Sequence, residues 1–103
     1  MNTLERAHIL CVDDEVELLR GLMLNLGKRY QVRTATSGAA GLELLGQDSK
    51  VDVIISDMRM PGLSGAEFLS RSRAIAPEAH RILLTGQPDL ASAIAAATEG
   101  QIL

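Results

Sequence analysis

Aromatic residues are nearly absent from this chain. There is no Trp, one Phe and one Tyr among 103 residues. A core of ring stacks is therefore excluded, and Leu, Ile, Val, Ala and Met must supply the packing. Cysteine is present once, as Cys11, so an internal disulfide is excluded. Its setting in an apolar run fits a small core residue and a reducing, cytoplasmic compartment. No basic excess exists: 10 Lys and Arg face 13 Asp and Glu, for a formal net charge of -3. Direct nucleic-acid binding by this segment is disfavoured on that ground. Apolar runs are far too short to span a bilayer, so no membrane role is expected. The opening MNTLERAHIL carries charge where a secretory signal would be apolar. What remains is a chain that is 47% hydrophobic, of a size that suits one compact domain over residues 1–103.

Short apolar runs alternate with helical periodicity. His8–Val12 reads as a buried strand ended by Asp13 and Asp14. Glu15 to Leu26 carries Val16, Leu19, Leu22, Met23 and Leu26 at helical spacing, and Gly27 is a plausible stop. Gln31–Ala35 reads as a second strand. Ser37 is placed to cap a helix through Leu45. Val51–Ser56 is the third and most apolar strand, and it stops at Asp57. Pro61-Gly62 then marks a turn. Ser64 with Glu67 three places on matches a capping box, opening a helix that ends near Ala76, before Pro77. Arg81–Leu84 reads as a fourth strand, Gly86 to Asp89 as a loop, and Leu90 to Thr98 as a further helix. Gln101–Leu103 looks like the opening of a fifth strand.

This alternation predicts right-handed βαβ units and a parallel sheet covered on both faces. Ligands in such sheets gather beyond the carboxyl ends of the strands. The polar residues collect there: Asp13 and Asp14 after the first strand, Asp57 after the third, Thr85 after the fourth. Converging carboxylates repel, and a hard divalent cation would offset them. Mg²⁺ fits best, with Asp14 and Asp57 binding directly, Asp13 through water, and a backbone carbonyl just past Asp57, that of Arg59, as another ligand. One Cys and two separated His do not make a zinc site. An acid pair after a strand is, alone, commonly a cap or a turn; the ordered set of all three positions carries the signal.

With ILCVDDE (9–15), IISDMRMPGLSG (54–65) and ILLTG (82–86), the chain resembles the receiver domain of two-component response regulators. The resemblance implies a flavodoxin-like three-layer α/β sandwich with strand order 2-1-3-4-5. It implies that Asp57 accepts a phosphoryl group from a sensor histidine kinase or a histidine phosphotransfer protein. Asp13 and Asp14 match the acidic pair that holds Mg²⁺. Thr85 matches the switch hydroxyl that closes on the phosphoryl group, and the change is passed to an attached or separate output region. Arg59 and Gln87 fall at positions that influence how long the phosphoryl group survives. The domain would then be a signalling module that assists its own phosphotransfer, not an enzyme in its own right.

Receivers also carry a lysine at the end of the fifth strand. This sequence ends at Leu103, at the start of that strand, so the lysine and the last helix are not in it. Two expectations arise: a natural protein that continues, or a fragment that self-associates through the open fourth strand as a homodimer. The rival reading is a pseudo-receiver, never phosphorylated, that acts as a docking or dimerisation module. A haloacid-dehalogenase type phosphatase is disfavoured, since Asp13-Asp14-Glu15 offers no D-x-D, and a dinucleotide binder lacks its glycine-rich first turn. Output, kinase and stimulus are not written in these residues. SDMRMPG and RILLTG are also similar to receivers joined to cyclic-di-nucleotide phosphodiesterase modules, but output is set by the region attached to a receiver.

Overall fold

A computed structural model describes residues 6–84. Four strands and three helices alternate: β1 (His8–Val12), α1 (Val16–Leu26), β2 (Gln31–Ala35), α2 (Gly38–Gln47), β3 (Val53–Asp57), α3 (Gly65–Ile75) and β4 (His80–Leu84). All pairings are parallel and the sheet order is β2-β1-β3-β4. The expected order 2-1-3-4 is therefore present. The expected loop after Gly86, helix at 90–98 and fifth strand lie outside the described residues.

β1 is central and buried on both faces, which is why its sequence is continuously apolar rather than alternating. Leu10 and Val12 point to one core with Ile54, Leu45, Phe68 and Leu69, the layer of α2 and α3. Ile9 and Cys11 point the other way, onto Leu19 of α1, with Leu22 and Leu26 beside it. The molecule thus has helices on both sides of one sheet, as the alternating pattern requires.

Local signals acted as read at the helix starts. The Ser37 hydroxyl accepts from Ala40 N at 3.0 Å, capping α2. Ser64 Oγ accepts from Glu67 N at 3.2 Å, and Ser64 N donates to Glu67 Oε1 at 3.1 Å, closing a capping box on α3. Element ends shifted slightly. Glu15 precedes α1 as its cap, α2 runs on to Gln47, β3 starts at Val53 rather than Val51, and β4 starts at His80. The start of β3 is set by pairing: Val53 is level with Ile9 on β1 and His80 on β4, while Asp52 still turns, with its carboxylate on His8 N at 2.7 Å.

The apolar positions of α1 divide between two stripes. Val16 and Met23 do not face the core but are exposed, with Leu18 and Leu24. Leu19, Leu22 and Leu26 form the stripe that meets the sheet. Val16 and Met23 lie on the next stripe round the helix, its shoulder. There they border an open groove with Arg20, Leu24, Thr34 and Thr36, beside the edge strand β2.

Candidate metal and phosphoacceptor site

The site is built by strand register. β1 and β3 are parallel neighbours, with Val12 level with Ser56. The residues one step on, Asp13 just past β1 and Asp57 at the end of β3, therefore sit at the same edge of the sheet. Asp14 comes directly after Asp13. Oxygen atoms of Asp13, Asp14 and Asp57 all lie within 4.8 Å of one another. The structure thus unites acids from two strand ends that lie far apart along the chain.

Asp13 is the buried member, 3% exposed, while Asp14 is exposed and Asp57 is intermediate. The backbone holds Asp13 firmly. Its N–H donates to Ala35 O at 3.1 Å, and its Oδ1 accepts from Glu15 N at 2.8 Å. Burial pushes the Asp13 carboxyl above its ordinary pKa and the charge of Asp14 adds to this, while the Glu15 N–H opposes both. Asp57 is raised as well, first by burial and then by the charge of Asp13, with Asp14 and Glu15 contributing and the Met58 N–H pulling the other way. Glu15, on the rim, does not stand out in the sequence as a site residue. Its charge reaches Asp57 because the first turn of α1 starts at the pocket.

The backbone just past Asp57 is held from two sides. Met58 N donates to Leu84 O on β4 at 3.1 Å, and Met58 O accepts from Gly65 N on α3 at 2.8 Å. Ser56, fully buried, donates its hydroxyl to Asp57 O at 2.9 Å. Met58 and Met60 are buried and Met60 belongs to the core, in keeping with packing roles. Gly62 has φ +80°, the left-handed region that glycine tolerates, so the turn after Pro61 is built as read. Arg59 is exposed at the rim, two residues past Asp57. Thr85 and Gln87 lie outside the described residues. His8 and His80 begin their strands at the opposite edge of the sheet and are not in the acidic cluster.

An all-oxygen donor set suits a hard cation such as Mg²⁺ and suits zinc poorly. The raised carboxyls of Asp13 and Asp57 fit the same conclusion, because a nearby dication would relieve the repulsion that helps raise them.

Comparisons agree with this geometry. The family model of the response regulator receiver domain matches residues 9–102. The transcriptional regulatory protein GlrR of Escherichia coli is 40% identical over 95 residues, covering 91% of this chain and 21% of its own length. The hydrogenase transcriptional regulatory protein HoxA of Cupriavidus necator is 38% identical over 98 residues, covering 95% of this chain and 20% of its own length. The signal receiver domain of an HD domain-containing protein from Pseudomonas fluorescens superposes with a TM-score of 0.88 at 35% identity, covering 95% of this chain and 78% of that one. A response regulator from Burkholderia pseudomallei, crystallised with a phosphorylated aspartic acid, calcium ion and citrate, gives 0.84 at 28% identity, covering 91% and 55%.

The fold and the family match together define a signalling domain of the flavodoxin-like class. The chain belongs to the response regulator receiver domain family of two-component systems. It spans about a fifth of the length of GlrR and HoxA. Among the described residues no helix is long and apolar enough to cross a membrane.

Proposed function

We propose that residues 1–103 form a receiver domain in which Asp57 takes a phosphoryl group from the histidine of a sensor kinase or phosphotransfer protein. The observation that carries this reading is the meeting of Asp13, Asp14 and Asp57 oxygens within 4.8 Å at the carboxyl edge of the sheet. An Asp57 carboxylate oxygen attacks phosphorus, the N–P bond of the donor breaks, and its electron pair returns to the imidazole. Asp57 is suited to this by its mount. β3 is a rigid, largely buried strand, and the Met58 peptide is fixed at both ends, so the carboxylate is aimed before the donor arrives. Asp13, Asp14, Asp57 and the carbonyl of Arg59 would hold Mg²⁺. When bound, it supplies charge neutralisation for the incoming anion.

The transferred group adds charge and strong acceptor oxygens at the edge of β3. Thr85, next after β4, donates to them and passes the change to the segment beyond it, and so to an output region. Arg59 and Gln87 govern the approach of water and hence the lifetime of the acyl phosphate. The domain works in the cytoplasm, with the output region as its intramolecular partner. The GlrR and HoxA relatives favour transcriptional output, at the level of their names.

The test is uptake of labelled phosphate from acetyl phosphate or a phosphorylated kinase, in Mg²⁺, by the full-length protein. Uptake that vanishes in Asp57→Asn and without Mg²⁺ is expected. Equal labelling of Asp57→Asn overturns the proposal, and no uptake or Mg²⁺-dependent beryllofluoride binding by the parent would favour the pseudo-receiver.

A further inference from the structure

Arg81 stands second on β4 and is only 4% exposed. Each of its three guanidinium nitrogens donates a hydrogen bond. Nε donates to Ser72 Oγ at 3.0 Å, Nη1 to Ala79 O at 2.6 Å, and Nη2 to Ala76 O. Ser72 is itself fully buried, and its hydroxyl donates to Leu69 O at 2.6 Å. The partners are a hydroxyl and two carbonyls, not a carboxylate. Burial and the nearby Arg73 charge disfavour a cation here, and the negative carboxyl end of α3, capped by Ala76, offsets part of that cost. Removing any one partner would leave buried donors unmatched, so the network is either complete or costly.

These bonds close a ring that reaches the acidic pocket. The Met58 peptide, next to Asp57, hangs between Gly65 at the start of α3 and Leu84 at the end of β4. Arg81 ties the far end of α3 to the near end of β4. α3 is an 11-residue helix, a stiff rod of roughly 16 Å. Without Arg81, β4 would still be held by its pairing with β3 and joined to α3 through residues 76–79, but no side chain would clamp the end of α3 to the strand. With Arg81 in place they form a triangle.

We propose that Arg81 is a positioning residue for the acidic pocket: it locks α3 to β4 and thereby fixes the backbone after Asp57. The inference deepens the proposed function, since that backbone would offer the Arg59 carbonyl to the metal. Its deciding measurement, amide exchange, needs neither metal nor phosphate, so its failure is distinguishable from failure of the phosphoacceptor reading.

Amide hydrogen exchange of the metal-free, full-length protein reads the ring directly. In Arg81→Met, the Met58 and Gly65 amides exchange about tenfold faster relative to the amides of β1. Leu45→Ala, which opens a cavity in the same core, lowers the melting temperature but does not single out those two amides. Mg²⁺ titration of Arg81→Met then shows an affinity several-fold below that of Leu45→Ala. Arg81→Lys does not restore the parent values, because one ammonium does not span three acceptors. If Arg81→Met fails to fold, Ser72→Ala removes a single acceptor and gives the same shift at smaller size. Unchanged relative protection of Met58 in whichever of the two folds overturns the proposal.

Discussion

Gly65 lies directly against Asp57: a Cβ placed on it would overlap the Asp57 carbonyl oxygen and stand 2.9 Å from Met58 Cα. α3 therefore begins in contact with the backbone that bears the central acid. The Gly65 N–H to Met58 O bond needs that close approach.

Gly65→Ala forces the backbone at Asp57 and Met58 to move, because the atoms in the way are main chain. Overpacking of this kind costs roughly 1–3 kcal/mol. A denaturant midpoint lowered accordingly is expected, together with weaker Mg²⁺ binding. An unchanged Mg²⁺ affinity would show that the approach serves packing alone.

Asp13 and Asp57 both have pKa values raised above the ordinary carboxylate value of 3.8 in the metal-free fold. The folded state thus holds protons more tightly than the unfolded chain. The associated stability is fully present below about that value and is lost as pH rises through the raised pKa values. The melting temperature of metal-free protein should therefore rise as pH is lowered from neutral toward that ordinary value, and Asp13→Asn should flatten that slope. Glu67, whose pKa is lowered by its bonds to Ser64, acts in the opposite sense only below its ordinary value of 4.5. A parent slope that Asp13→Asn leaves untouched would refute the assignment.

At pH 7 the same repulsion is open to relief by a cation. Mg²⁺ should raise the melting temperature in proportion to the logarithm of its concentration above Kd. Asp57→Asn should weaken this response while raising the melting temperature of the metal-free form. Thermal scans with and without Mg²⁺ measure both.

The capping box on α3 has a local energy. Ser64→Ala leaves the Glu67 amide without its side-chain acceptor and should cost about 1 kcal/mol, read from urea denaturation.

Cys11 is fully buried, and burial raises its thiol to about 11. Native protein should not react with a thiol reagent at pH 8, while unfolded protein should react at once. Labelling at the same rate in both states would show that β1 opens.

Much of this was legible in the residues themselves. β1 and β3 announce themselves as short apolar runs, and Ser37, Ser64 and Glu67 mark helix starts, because capping and periodicity act within a few residues. The acids at strand ends were legible for the same reason. α1 was legible as a helix from its five apolar positions, but that only the Leu19 stripe meets the sheet was not, because the direction of the face depends on packing. Arg81 looks in the sequence like an ordinary strand-opening residue. Nothing adjacent marks it, and its partner Ser72 is on a different element.

The sequence by itself determined the order of strands and helices, the caps, and the placement of Asp13, Asp14 and Asp57 at strand ends, since each depends on neighbours close along the chain. Only the tertiary structure decided that β1 and β3 pair in parallel with Val12 level with Ser56, bringing the three carboxylates together. It alone also buried Arg81 against the end of α3. Both results depend on contacts between distant segments, where pairing and packing of the whole chain choose among arrangements that local preference leaves open.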